Sequence, residues 1–427
     1  MRSIGASVAP AVACAVCGIL VGCSGRGSGH STGTEGGQGA GGSSGFGGVV
    51  VSGGALGSGG TAGGGGMAPG GTTSAGGGTG SGGTSEIGTQ DAGGDATAGG
   101  RLDAGSTGGT GGTGGVAVGS DRCNVGVYDA ASPPKVLSLT GSLDTHDPSA
   151  IAADNMYYLF YTGLGAETST NLTAWKAAGS PLGTPSWLSS TISGVSNLWA
   201  PDISQFAGKY HLYYAGSTFG SNKSCIGHAT RDSLATGSWI DDGAATICSN
   251  VNSSDNWNAI DPNLVVDTDG KPWLAFGSFW SGLQIVQLDD AGKRVETTVT
   301  AIASRPNKGG ALEAPFMVRR CDYYYLFTSW DTCCKGADST YNIRVVRGTS
   351  ITGPFTDKTG AAALQGGGSL IAEGDASFAG PGGQSVMFVG NRAYLVYHAY
   401  VKPSGATTLR IADLVWDSTG WPVSVGP

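Results

Sequence analysis

Aromatic residues are almost missing from the first 120 positions of this 427-residue chain: of 35 Phe, Trp and Tyr, only Phe46 lies there. That stretch cannot assemble a hydrophobic core. Charge is also scarce, at 13% of residues with a formal net charge of −8, and after residue 120 there are 20 Lys/Arg against 26 Asp/Glu. This balance disfavours a protein that grips nucleic acid through its phosphates. No apolar run is long enough to span a bilayer, no Cys-x-x-Cys pair has a matching second pair for structural zinc, and no long helical periodicity occurs after residue 120. What is abundant is glycine, with 45 of 79 in the first 120 residues, so two different materials are joined in one chain.

Residues 1–23 read as a targeting segment. Arg2 precedes the apolar run Val8 to Val21, and Leu20-Val21-Gly22-Cys23 resembles the lipobox of bacterial lipoproteins, with an ordinary cleaved signal peptide as the alternative. Either implies export, and a lipid on Cys23 would be the sole membrane contact. Residues 24–120 are Gly, Ser, Thr and Ala with seven charges. Ordering such a chain costs entropy that no burial offsets, so a disordered tether is expected, with a coil span on the order of 50–60 Å.

Residues 121–427 hold six cysteines: Cys123, Cys225, Cys248, Cys321, Cys333 and Cys334. In an exported chain an even count suggests bridges. Cys225 and Cys248 fall on two expected strands of one repeat and form the expected pair, while the adjacent Cys333 and Cys334 stay unassigned.

Short runs rich in Tyr, Val, Leu and Trp, bounded by Gly, Asp and Asn, predict an all-β domain. Pro148, Pro201, Pro262, Pro315 and Pro381 recur at intervals of 53 to 66 residues. Each is followed 11 to 14 residues later by a Leu within an apolar strand, as in Tyr157-Tyr158-Leu159 and Tyr324-Tyr325-Leu326. A constant local step within a variable period means a repeated hairpin with loop insertions, and about 60 residues per unit suits a four-stranded blade. Five units predict a five-bladed β-propeller, in which the starts of the innermost strands converge at one mouth of the channel.

Acids cluster at those starts. Asp147 and Asp261 immediately precede their prolines, Glu313 stands two before and Asp202 one after, while the fifth repeat has glycine. Singly, each has a bland reading, since Asp-Pro commonly opens a turn. Gathered in one funnel, like charges would raise one another's pKa, an arrangement suited to acid–base hydrolysis.

At these residues the chain resembles glycoside hydrolase family 43, and within it the arabinan endo-1,5-α-L-arabinanases. The matching segments include His146-Asp147-Pro148, Trp199-Ala200-Pro201-Asp202, Phe219-Gly220-Ser221-Asn222, Asn258-Ala259-Ile260-Asp261-Pro262, Ser278-Phe279-Trp280, Glu313-Ala314-Pro315 and Cys333-Cys334-Lys335-Gly336. The resemblance implies an inverting hydrolase with Asp147 as general base, Glu313 as general acid and Asp261 holding Glu313 and raising its pKa. Inversion needs base and acid roughly 6.5–9.5 Å apart, leaving room for a water. The substrate implied is a neutral polysaccharide, the arabinan of pectin side chains, cut internally by a monomer. Trp199, Phe219, Phe279 and Trp280 would offer faces to furanose rings, Asn258 and Ser278 hydrogen bonds, and Gly220 close backbone approach. Core packing is an equal reading for Trp199 and the preferred one for Trp273 and Tyr324. In the family's arabinanases the fifth repeat reads Gly-Pro-Gly-His, and that His reaches a metal taken as calcium; here Gly383 stands in its place, followed by Gln384. No metal-ligating residue is therefore assigned. His398 is expected to be a satisfied interior imidazole, His146 to orient Asp147 or the water, and His211 and His228 to be structural. The alternatives are an exo-acting α-L-arabinofuranosidase or β-xylosidase on the same fold, or a non-catalytic polysaccharide-binding propeller.

Overall fold

The structure is a computed structural model that describes residues 122–195 and 197–427. The expected targeting segment with Cys23, the tether of residues 24–120 and Asp121 lie outside the described residues.

Five antiparallel sheets account for nearly all regular structure. The first blade comprises Ser149–Ala153, Met156–Tyr161, Gly165–Ser169 and Ala174–Gly179, with the short strand Thr140–Gly141 added in parallel at its outer edge. The second runs from Trp199–Phe206 to Ile240–Ser249, the third from Asn263–Val266 to Thr300–Ala303, the fourth from Leu312–Arg320 to Ser369–Glu373 and the fifth from Phe378–Val389 to Pro422–Val423. Each blade is laid down in chain order from inside to outside. The five innermost strands neighbour one another in a closed ring, the fifth returning to the first, which is the expected five-bladed β-propeller.

Alternation along a strand explains why the ring holds. Successive side chains leave opposite faces of a sheet, and here both faces meet another sheet. In the second blade Leu212 and Tyr214 pack toward the first blade, while Tyr213 and Ala215 pack toward the third. In the fourth, Tyr324 and Leu326 face the third blade, and Tyr325 and Phe327 the fifth. Five apolar clusters result, one between each pair of neighbours, so inner strands read as unbroken apolar runs. Trp273 and Tyr324 belong to this packing, as expected.

The segment after Arg122 clasps the ring. Val127 bridges to Trp416 in the fifth blade, Arg320 Nε donates to the Val125 carbonyl at 2.9 Å, and Cys123 is disulfide-bonded to Cys321 of the fourth. Cys225 and Cys248 stand directly opposite in register and are bonded, as their strand positions predict. Cys333 and Cys334 are bonded to each other.

The recurrent proline has a structural cause that spacing alone does not reveal. The residue before it is left-handed in all five blades: Asp147 (φ 50°), Ala200 (φ 39°), Asp261 (φ 56°), Ala314 (φ 52°) and Gly380 (φ 54°). For the four non-glycine residues this costs about 1–3 kcal/mol each. In the second, fourth and fifth blades the pairing register slips at the same place. Together these bends turn the start of each innermost strand across the mouth of the channel.

Candidate active site

A cleft of about 520 Å³ opens at that mouth. Every residue assigned to the site from sequence lines it: Asp147, Asp261, Glu313, Trp199, Phe219, Gly220, Asn258, Ser278, Phe279 and Trp280. They arrive from four blades. The fifth contributes no acid to the cleft, and its glycines have another use. A Cβ on Gly382 would lie 2.1 Å from the Tyr341 ring, and one on Gly383 (φ 57°) would lie 2.2 Å from Asp147 Oδ1. The glycine run therefore lets Tyr341 and Asp147 press against the backbone.

Glu313 is buried and firmly held. Ser278 Oγ donates to its Oε2 at 2.6 Å, and the Tyr341 hydroxyl donates to Oε1. Burial pushes its pKa up; the two hydroxyl donors pull the other way, and the Asp147 charge adds to the rise. Burial likewise pushes Asp261 well above the carboxylate range, with Glu313 and then Asp147 adding to it. Asp261 reaches Glu313 through the backbone, its Oδ2 accepting the Ala314 N–H at 3.0 Å.

Asp147 is shifted in the opposite direction. Burial alone would raise its pKa, yet His146, His398 and Thr162 together hold it well below the usual range. Its Oδ2 accepts from Thr162 Oγ1 at 2.7 Å and lies 2.8 Å from His146 Nδ1. Two carboxyls in one cleft with opposite shifts suit an acid–base pair, since one environment favours the ionised form and the other the protonated form.

Exposure separates the aromatics. Phe219 is 85% and Trp280 39% exposed, open faces at the cleft rim. Trp280 follows Phe279, and both are left-handed (φ 44° and 53°), a turn that throws the indole outward. Trp199 serves both readings: one part packs against the core between the second and third blades, and another lines the cleft.

A profile of the glycosyl hydrolases family 43 matches residues 140–422, which takes in all five blades and all three acids. The chain belongs to this family. Among its relatives, the extracellular endo-α-(1→5)-L-arabinanase 1 of Bacillus subtilis is 43% identical over 306 residues, 69% of this chain and 93% of that one. The extracellular exo-α-(1→5)-L-arabinofuranosidase of Cellvibrio japonicus is 38% identical over 302 residues, 66% of this chain and 86% of the relative. The solved family 43 endo-arabinanase of Bacillus licheniformis, 47% identical, superposes with a TM-score of 0.63 over 67% of this chain and 99% of its own.

One expectation for this family 43 propeller needs correction. His398 is not a satisfied interior imidazole: its Nδ1 accepts the Asp147 N–H at 3.1 Å, but its buried Nε2 has no partner among the described residues. Burial is the first cause of the raised Glu313 pKa, and the mutual repulsion of Asp261 and Glu313 acts on the pair. Asp202 does not line the cleft. It is buried on the channel axis, where it accepts the Leu264 N–H and the Asn263 amide, both at 3.0 Å, and Ser204 Oγ at 2.8 Å, tying the second blade to the third. Burial pushes its pKa up to about 6.

The structure also adds residues that spacing could not indicate. Tyr341, Thr162, Thr332 and the Cys333–Cys334 cystine line the cleft from loops outside the repeat. Ser278 reaches Glu313, and Asn258 Oδ1 accepts from Ser224 Oγ at 2.6 Å, so both brace the site. His211 and His228 are buried and hydrogen-bonded to each other at 2.9 Å, with His228 on Asp242, as structural residues should be.

At the place of the family's metal-ligating His, this chain offers no side-chain ligand. Calcium takes six to eight oxygens. At position 383 there is no side chain and no room for one, and both ends of the Gln384 amide are engaged, Oε1 with Ser329 Oγ (2.8 Å) and Nε2 with the Ala314 carbonyl (2.7 Å). Both oxygens of Asp202 accept hydrogen bonds.

Proposed function

We propose that this protein is an exported enzyme that cleaves internal α-1,5-L-arabinofuranosidic bonds of arabinan with inversion. The observation that carries the reading is the pair of oppositely shifted carboxyls, Asp147 and Glu313, facing one cleft from different blades. Asp147 takes a proton from a water as its oxygen attacks the anomeric carbon. Glu313 protonates the departing glycosidic oxygen as that bond breaks. Asp261 holds the strand turn carrying Glu313 through the Ala314 amide. Phe219 and Trp280 give furanose rings apolar faces on either side of the bond. Internal cutting is supported by the names of the Bacillus relatives; the Cellvibrio relative favours exo action on the same fold. Export is supported by relatives described as extracellular and by the leader sequence, and we assign the membrane anchor to a lipid on Cys23.

Digestion of linear 1,5-arabinan separates the modes. Endo action predicts that viscosity collapses while few reducing ends have appeared; matched progress of the two would indicate release from chain ends. We further propose that turnover needs no axial calcium, a reading supported by position 383 and the committed Gln384 amide. Activity and melting temperature are then expected to be the same after exhaustive chelation as with added calcium. A loss restored by calcium alone would overturn this.

A further inference from the structure

Asp147 is taken here as the general base, so the inference rests on that reading. Behind it lies a chain of hydrogen bonds running to the adjacent cystine. His146 Nδ1 faces Asp147 Oδ2 at 2.8 Å, and its Nε2 is 2.8 Å from Tyr400 Oη. That same oxygen accepts the Cys334 backbone N–H at 3.0 Å. The Tyr400 hydroxyl thus joins the imidazole to the Cys334 amide. An ionised Asp147 can only accept, so His146 Nδ1 carries a proton aimed at it; burial lowers the pKa of the ring, but the Asp147, Glu313 and Asp144 charges raise it overall. The ring cannot swing away, because it is stacked on His398 with centroids 3.8 Å apart and planes 21° from parallel.

We propose that Tyr400 is a positioning residue for the base, holding the His146 ring so that its Nδ1 faces Asp147, and that the Cys333–Cys334 bond anchors this setting by fixing the Cys334 amide. Burial pushes the Tyr400 phenol up, so it stays a hydroxyl. The groups facing the His146–Asp147 unit are Asp144 on its own segment, Asp261 and Glu313 from the third and fourth blades, Tyr341 from the loop within the fourth, and His398 and Tyr400 from the fifth. His146 Nε2 has two hydrogen-bond partners among the described residues, Tyr400 Oη and, at 3.9 Å, Cys334 Sγ of the cystine.

The test is the pH dependence of kcat/KM on linear arabinan for wild type, Tyr400→Phe, and wild type reduced at the cystine, with two freed thiols counted by alkylation and mass. Tyr400→Phe is expected to move the acid limb upward by about one pH unit, because the carboxylate loses an oriented donor. It is also expected to lower kcat at neutral pH by ~10-fold while KM and melting temperature hold. Reduction is expected to shift the limb in the same direction. A Tyr400→Phe profile that superimposes on wild type would overturn the proposal. Should that variant not fold, an unchanged profile after verified reduction overturns the cystine anchor. Asp147→Asn runs alongside: its inactivity leaves the base reading intact whatever Tyr400 does, whereas wild-type turnover there would mean that the base itself is misassigned.

Discussion

Replacing Glu313 by Gln is expected to lower kcat on linear 1,5-arabinan by ~10³-fold, within the range general acid catalysis contributes. KM should change little. The amide keeps the size of the side chain, and its carbonyl oxygen can still accept from one of Ser278 and Tyr341, the two donors that now hold the carboxyl. What disappears is the proton. An aryl arabinofuranoside with a strongly acidic phenol needs no protonation to leave, so the variant should recover much of its rate on that substrate. The contrast between the two substrates separates loss of an acid from loss of fold. Undiminished arabinan hydrolysis by Glu313→Gln would dismiss the assignment, and an inactive wild type that still binds arabinan would mark a binding propeller.

Asp147→Asn should be as damaging, on the order of 10³–10⁴-fold, and the good leaving group should not help. Attack by water precedes or accompanies departure of any leaving group, so removal of the base is felt on every substrate. The first product seen by proton NMR in the wild-type reaction should be the β-anomer, formed from an α-linked chain before mutarotation; an α-anomer would contradict a single displacement. The same assignments fix the sign of the pH profile. Activity needs Asp147 ionised and Glu313 protonated. His146 and Thr162 hold Asp147 below the usual carboxylate range, so the acid limb should be low. Burial raises Glu313, so the alkaline limb should lie above that range. A profile with both limbs inside the ordinary carboxylate range would count against both shifts.

Much of this was legible in the residues. The five Pro-to-Leu steps marked five inner hairpins because a blade must repeat its inner strands to close a ring. The acids beside those prolines were legible because they ride on the same repeat. The left-handed turn that points them was not, since residues before proline ordinarily favour extended backbone. Ala200 and Ala314 carry no local signal for such a turn; neighbouring blades impose it. Gly383 was legible as a missing ligand, but not as the gap into which Asp147 Oδ1 presses.

By itself the sequence determined what is periodic or local: strand alternation, the blade count, the Cys225–Cys248 pair and which carboxyls share a mouth. Only the tertiary structure decided what surrounds those carboxyls. Tyr341 on Glu313, Tyr400 on His146 and His398 under Asp147 are contacts across 28 to 254 residues of chain. Such contacts follow no repeat, because they depend on where loops of different blades meet once the ring has closed. The environment they create, by burial and by donated protons, is what drives two chemically similar carboxyls toward opposite charge states.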